Sequence, residues 1–138
     1  MHDSRWLKFL NMKTCFCGSD QPYSRCCAPI IKGISKAVSA EKLMRSRYSA
    51  YVMGAVDYLI ETTHISKRAQ LDKKDIEQWA KSNNWQKLEV IYADTFTVEF
   101  KAYFRDRAGK KQIHHEKSTF AFENDSWFYV DGVFNEDI

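Results

Sequence analysis

The stretch Thr95-Phe-Thr-Val-Glu-Phe-Lys-Ala-Tyr-Phe104 alternates polar and apolar side chains along most of its length. Successive side chains of a β-strand point to opposite faces of the sheet, so every second residue faces the core. The alternation therefore predicts a half-buried strand. Its apolar side consists of Phe96, Val98, Phe100, Ala102 and Phe104.

The same period of two continues on both sides of this stretch. It predicts further strands over residues 85–92, 111–123 and 127–134. Turn-forming residues separate the last three strands, at residues 107–110 and 124–126. Short turns join antiparallel neighbours, so the pattern predicts a four-stranded antiparallel meander.

Upstream of the first strand, the apolar residues follow a helical period instead. Ser39 is a favourable N-cap and Gly54 a natural C-terminal stop, which predicts a helix between them. We predict a second helix over residues 55–63, a loop over 64–71, and a third helix over 72–83. Three helices followed by a meander are typical of an α+β domain, with the helices packed on one face of a curved antiparallel sheet.

The third predicted strand carries two kinds of side chain on one face. Phe120 and Phe122 define its buried side, and the period of two places Glu116 and Ser118 on that side as well. An apolar lining with a few converging polar groups is typical of a ligand pocket. The alternative is that the strand extends beyond the core and its polar end lies in water.

All four cysteines lie in one short segment, in the pattern Cys15-x-Cys17, eight residues, Cys26-Cys27. Disulfide bonds within either close pair would be strained. Four thiolates around one tetrahedral ion explain the spacing better, with zinc as the default ion and iron as the alternative. Four ordinary reduced cysteines remain the simplest competing interpretation.

Charge divides the chain into two predicted regions. Residues 1–36 contain six basic and two acidic residues, a charge of +4, so residues 37–138 carry −1 of the total +3. The larger region therefore lacks the charge of a nucleic-acid groove. Nucleic-acid binding through the basic first 36 residues is a third hypothesis, which we rank last because few aromatic residues accompany the basic ones, so direct nucleic-acid binding is not expected. The first 36 residues would hold an N-terminal flap, the metal knuckle and a connector. We expect a cytoplasmic protein without a membrane span, because no apolar run approaches 20 residues.

Several motifs resemble known families. Cys15-Phe-Cys-Gly-Ser19, with Tyr23 and Cys26-Cys27, resembles the SEC-C motif, which is named after the secretion ATPase SecA. The string Leu43-Met-Arg-Ser-Arg-Tyr-Ser-Ala-Tyr51 resembles the signature of the YchJ family of SEC-C motif proteins. Further matches follow at Asp57-Tyr-Leu-Ile60 with Thr62 and His64, at Glu116, Ser118 and Phe120, and at Trp127, Tyr129, Asp131 and Gly132. The resemblance implies a metal site and a nuclear-transport-factor-like (cystatin-like) domain, in which helices and a bent sheet form a cone.

The first functional hypothesis is a structural zinc knuckle that docks a protein or ribonucleoprotein partner. Four protein thiolates leave no open position for a catalytic water, which argues against zinc hydrolysis. The resemblance supports docking, since in SecA the similar motif serves as a docking tail.

The second hypothesis is a small-molecule binder or enzyme, of the isomerase or dehydratase type, that uses the cone. Glu116 and His64 are the candidate general bases, and a carboxylate among aromatic rings is expected to have a raised pKa. The alternative is an ion pair between Glu116 and Arg45 or Arg47, which would fill the pocket. We rank this hypothesis second and expect binding rather than catalysis. The predicted pocket set is Arg45, Arg47, Tyr48, Tyr51, His64, Glu116, Ser118, Phe120, Trp127 and Tyr129.

Overall fold

A computed structural model describes residues 14–134. The described part contains five α-helices, preceded by a 3₁₀ turn at Tyr23–Arg25, and a four-stranded sheet. The helices are α1 (Cys27–Ile31), α2 (Ala40–Met53), α3 (Val56–Glu61), α4 (Ile65–Arg68) and α5 (Lys73–Ser82). The strands are β1 (Asn84–Ala93), β2 (Thr97–Arg105), β3 (Lys111–Glu123) and β4 (Ser126–Phe134). The predicted α+β class is confirmed.

Helix α2 has the predicted bounds and the predicted caps. The Ser39 hydroxyl accepts a hydrogen bond from the backbone N–H of Lys42 at 3.0 Å. Gly54 ends the helix in the left-handed conformation, with φ at +72°, which costs a glycine little. The buried side of α2 packs on β1, β2 and β4. This helix therefore spans the open face of the sheet.

Two segments are more ordered than the sequence predicted. The loop prediction for residues 64–71 was wrong over α4, where the side chain of His64 caps the helix by accepting from the N–H of Ser66. The predicted connector after the cysteines contains α1. Pro29 lies in the first turn of α1, where the missing N–H of proline costs no helical hydrogen bond. Pro29 therefore does not interrupt helix α1.

The sheet is the predicted meander, in the order β1-β2-β3-β4 with all neighbours antiparallel. The period of two along the first strand is interrupted by a register shift between Val90 and Tyr92, beyond which Tyr92 is exposed. The apolar end of β3 also departs from the prediction, because Phe122 is 51% exposed. The polar part of β3 is buried instead, with Glu116 at 7% and Ser118 at 1%. The strand thus extends beyond the core at its aromatic end.

The four cysteines belong to the same buried cluster as residues of α2 and the inner face of the sheet. The predicted flap covers residues 1–14, and all of it except Thr14 lies outside the described part of the chain. Within residues 14–134, no helix is long and apolar enough to cross a membrane.

Candidate functional site

The cysteine knuckle consists of two short arms that fold onto each other. Cys15 and Cys17 lie on a tight turn, in which the N–H of Gly18 donates to the carbonyl of Cys15 at 3.2 Å. Gly18 has a φ of +88°, a backbone conformation that residues with a side chain rarely adopt. The N–H of Cys15 donates to the carbonyl of Gln21 at 2.7 Å and joins the arms. The second arm then delivers Cys26 and Cys27 to the same point.

The four sulfur atoms have the spacing of a single metal site. They all lie within 4.8 Å of one another. The Sγ of Cys26 is 3.7 Å from that of Cys17 and 4.0 Å from that of Cys27. A tetrahedral ion with metal–sulfur bonds of about 2.3 Å separates its sulfur ligands by about 3.8 Å. All four cysteines are free thiols and are buried, so the donor set fits a closed structural site.

Helix α2 supplies the groups that surround this cluster. The ammonium of Lys42 lies 2.6 Å from the Sγ of Cys26. The hydroxyl of Ser49 lies 3.6 Å from the Sγ of Cys15. The guanidinium of Arg45 donates to the carbonyl of Cys17. These three residues recur at helical spacing along one face of α2. The knuckle therefore packs against this face of α2.

The pKa values of the clustered thiols shift in opposite directions. Hydrogen bonds from Cys17 and Cys27 hold the pKa of Cys15 well below its usual range. Hydrogen bonds with Cys15 and Cys17, together with burial, raise the pKa of Cys27. Burial opposes the charge of Lys42, but the neighbouring sulfur atoms outweigh it and raise the pKa of that ammonium. Thiols bind a metal as thiolates, so a bound cation would compensate the charge of this cluster.

A cavity of about 340 Å³ lies on the opposite side of α2, between the helices and the inner face of the sheet. Aromatic and aliphatic side chains form most of its wall. The lining residues are Met44, Arg47, Tyr48, Tyr51, Leu59, Thr63, Leu71, Ile76, Trp79, Trp85, Phe100, Ala102, His114, Glu116, Ser118, Phe120, Tyr129 and Phe134.

Glu116 is the centre of the polar part of the cavity. One carboxylate oxygen accepts from the hydroxyls of Ser118 at 2.7 Å and Tyr129 at 2.8 Å. The other oxygen lies 2.8 Å from Nε2 of His114. A Cβ atom on the adjacent Gly132 would lie only 2.1 Å from this carboxylate. The network therefore requires glycine at that position of β4.

The expectation of a raised pKa for Glu116 was wrong. Burial does raise it, but hydrogen bonds from His114, Ser118 and Tyr129 outweigh burial and place the pKa of Glu116 below its ordinary value. Burial and the same carboxylate raise the pKa of Tyr129. Burial alone raises the pKa of Tyr48 to about 12. The cavity thus holds an ionised carboxylate and neutral phenols.

Comparison with known proteins identifies the family. Residues 39–132 match the family described as YchJ, middle NTF2-like domain. This chain belongs to the YchJ family. A UPF0225 protein of Geobacter sulfurreducens is 40% identical over 125 residues, which cover 86% of this chain and 77% of the relative. A UPF0225 protein of Vibrio vulnificus is 42% identical over 130 residues, which cover 90% of this chain and 77% of that relative.

Two solved structures share both the fold and the motif of this YchJ family member. The solution structure of a SEC-C motif containing protein from Rhodopseudomonas palustris has a TM-score of 0.81 and 36% identity, and the match covers 88% of this chain and 98% of that one. The crystal structure of a SEC-C motif containing protein from Psychrobacter arcticus has a TM-score of 0.77 and 35% identity, covering 92% and 85%. The predicted resemblance to YchJ-like SEC-C proteins is confirmed.

The two candidate arginines of the YchJ signature lie on different sides of α2. Arg45 pairs with Glu41 at 2.9 Å and contacts the knuckle, so placing it in the pocket was wrong. Residues two apart on a helix do not share a face. Arg47 does line the cavity, but neither arginine forms the proposed ion pair with Glu116. The cavity is therefore not closed by an arginine–carboxylate pair.

Two other predicted pocket residues lie outside the cavity. His64 contacts Glu123 at 2.8 Å, because its backbone pairs with the edge strand β4 and its ring turns toward the end of β3. Trp127 packs on Phe96 and Phe122, with ring centroids 5.6 and 5.2 Å away. This aromatic cluster lies at the end of the sheet, beyond the cavity.

Sequence reasoning missed several cavity residues. Trp79 lines the cavity, where it is partly exposed and packs edge-on against Trp85 and His114. Its neighbour Ile76, one turn away on α5, also lines the cavity. The signal was present, because both follow the apolar face of α5 toward the inner face of the sheet.

Proposed function

We propose that this YchJ family member binds a small molecule in its cavity, and that a zinc ion in the knuckle stabilises the helix that lines it. The observation that carries the proposal is the cavity itself, in which aromatic walls enclose the buried oxygens of Glu116, Ser118 and Tyr129. Small-molecule sites have this character, an apolar lining with a few fixed polar groups. The cavity volume falls at the lower end of the usual range.

The lowered pKa of Glu116 favours ligand binding over catalysis. A general base works best when its pKa lies near the working pH, whereas the pKa of Glu116 is lowered. Three donors already bind the carboxylate, so protonating it would remove the charge that strengthens those hydrogen bonds. Its role in the proposal is to fix the hydroxyls and the imidazole around the ligand.

The four-thiolate donor set favours zinc in a structural role, since it fills a tetrahedral shell. Elemental analysis of protein purified without chelators or a metal-affinity column tests this part. We expect one equivalent of zinc per chain. Iron would point instead to redox sensing or metal delivery, and four titratable thiols without metal would refute the site.

A fragment screen tests the binding part. We expect aromatic fragments to give saturation-transfer NMR signals with the wild-type protein and to lose them with Ala102→Leu, which extends a side chain into the cavity. Ala121→Leu is the matched control, because it adds the same atoms to β3 outside the cavity lining. Signals that survive in the folded Ala102→Leu variant would place binding elsewhere and contradict the proposal.

A second candidate function is docking of a protein or ribonucleoprotein partner by the knuckle. The observation in its favour is Phe16, which is 43% exposed although its ring packs at a tilt against that of Tyr23, with centroids 5.3 Å apart. Arg25, two residues after Tyr23, is exposed as well. Affinity purification with wild type and with a Phe16→Ala variant tests it. A partner retained equally by both would exclude this surface.

A further inference from the structure

We infer that the ligand of the cavity carries a carboxylate on a flat aromatic body, and that Arg47 binds the carboxylate. This inference rests on the proposed function, because it names the chemical class of the molecule that the cavity takes. It concerns the one strongly basic side chain in the cavity wall of the described chain.

Arg47 has hydrogen-bonding capacity that the protein does not use. Within residues 14–134 no carboxylate lies within 4 Å of its guanidinium. Its hydrogen bonds to described residues all come from Nη1, which donates to the carbonyl of Leu59 at 2.9 Å and to the hydroxyls of Thr62 at 2.8 Å and Thr63 at 3.4 Å. The N–H groups of Nε and Nη2 have no described acceptor. Those two nitrogens form the fork that binds a carboxylate through two parallel hydrogen bonds.

The guanidinium is held in place before any ligand arrives. Its central carbon lies 4.6 Å from the ring centroid of Tyr129, a cation–π contact. The hydroxyl of Tyr129 is fixed in turn by Glu116, and Nη1 is fixed at the end of α3. A cation oriented by its surroundings loses little conformational entropy on binding. Arg47 therefore has the preorganisation of a binding residue.

The other charge in the cavity does not compete for the same ligand group. The carboxylate of Glu116 accepts three hydrogen bonds from the protein, one of them from the hydroxyl of Tyr129, whose ring lies under the guanidinium of Arg47. A cationic ligand would find this carboxylate already occupied and would lie beside Arg47 without compensation. The free donors therefore favour an anionic ligand over a cationic one.

The walls indicate the body of the ligand. Tyr51, Trp79 and Trp85 form a contiguous aromatic surface, with ring centroids 4.9 to 5.7 Å apart. Phe100 on β2 and Phe120 on β3 add two more aromatic rings to the cavity wall. Flat rings pack well on such surfaces in offset or edge-on arrangements. A cavity of about 340 Å³ accommodates a fused two-ring system with its carboxylate.

Three isosteric probes test the inference on the wild-type protein. We expect 2-naphthoate to bind at least about tenfold more tightly than neutral 2-naphthamide, because charge-assisted hydrogen bonds contribute more than neutral ones. We expect cationic 2-naphthamidine to bind no better than the amide. Isothermal titration calorimetry at low and moderate salt measures all three dissociation constants.

Variants assign the preference to Arg47. Arg47→Gln should abolish the tenfold preference for the carboxylate while leaving amide binding in place. Arg47→Lys keeps the charge but lacks the fork, so it should retain only part of the preference, and it covers the case in which Arg47→Gln unfolds. Arg107→Gln is the matched control, since that arginine is exposed and lies outside the cavity lining.

The outcomes separate this inference from the proposed function. Equal affinity for naphthoate and naphthamide, or a preference that survives in Arg47→Gln, would overturn the inference while small-molecule binding stands. If none of the three probes binds, the inference is refuted. If the fragment screen also fails, the proposed function falls with it.

Discussion

Three hydrogen-bond donors hold the carboxylate of Glu116 in place, and Gly132 leaves the space that it occupies. The sequence predicted that Glu116 and Ser118 share a face of β3, since they are two residues apart on a strand. It did not predict that Tyr129 donates to the same oxygen. That contact depends on the pairing of β3 with β4, and pairing register is a tertiary property.

Glu116→Gln should make the protein less stable in a pH-dependent way. The amide presents N–H groups toward donors that need an acceptor, so we expect a loss of about 1–3 kcal/mol at neutral pH. The folded-state pKa of Glu116 is lowered, so its stabilising effect is fully present above its ordinary value of 4.5 and is lost as pH falls further, through the folded pKa.

Denaturant unfolding of both proteins between pH 3 and 7 measures this difference. The stability gap between wild type and Glu116→Gln should narrow below about pH 4.5. Taking the difference largely cancels effects of acid on the cysteine site, which both proteins share. A gap that stays constant down to pH 3 would show that the charge of Glu116 does not stabilise the fold.

Gly132→Ala should displace the same carboxylate. The added methyl would lie 2.1 Å from an oxygen of Glu116 and 2.9 Å from the hydroxyl of Tyr129. Because hydrogen bonds hold Glu116 in place, the side chain cannot move aside without losing them. We expect a cost of about 1–3 kcal/mol in the free energy of unfolding.

A double-mutant cycle with Glu116→Ala provides the control for Gly132→Ala. Removing the carboxylate first should remove most of the cost of the methyl group, since the close contact disappears. An unchanged cost in the Glu116→Ala background would mean that Gly132 acts through the backbone instead.

At the scale of elements, α2 joins the two candidate sites. One face of this helix bears Lys42, Arg45 and Ser49, which contact the knuckle. Its other side bears Arg47 and Tyr51, which line the cavity. The bounds of α2 followed from its caps, Ser39 and Gly54, because capping is a local property. Which side faces which site was decided by packing.

Lys42→Gln should weaken metal retention. The ammonium lies 2.6 Å from the sulfur of Cys26 and compensates part of the thiolate charge. Groups that support metal ligands typically change metal affinity by about 10- to 100-fold, and we expect a loss of about tenfold. Competition with a chromogenic chelator measures the metal affinity of each variant.

Lys32→Gln is the control for this charge change, because Lys32 is exposed immediately after α1 and makes no contact with sulfur among the described residues. It should retain metal like the wild-type protein. Equal retention by all three proteins would show that Lys42 does not support the site.

At the scale of the whole molecule, the prediction of separate regions at residues 1–36 and 37–138 stays a prediction. The buried cysteines share one core cluster with α2 and the sheet, which favours a single folding unit. Cys26→Ser should release the metal. Since the knuckle packs on α2, we expect one cooperative transition at a lower Tm rather than local loosening of the knuckle alone.

Calorimetry of wild type and Cys26→Ser distinguishes these outcomes. Ser19→Ala is a useful comparison, because it removes a neighbour of the same sulfur, 3.1 Å away, while keeping all four ligands. A Cys26→Ser variant that has lost its metal but melts at the wild-type Tm would show that the knuckle is an independent module.

The sequence by itself determined what depends on local pattern. Alternation along β2 and β3 predicted the meander, caps predicted α2, and cysteine spacing predicted the metal site. These properties are local because periodicity, capping and turn chemistry act over a few residues. Tertiary structure decided which of the predicted pocket residues meet. It brought Arg47, Glu116 and Tyr129 together and left Arg45, His64 and Trp127 outside, because helix orientation and strand register depend on packing between distant segments.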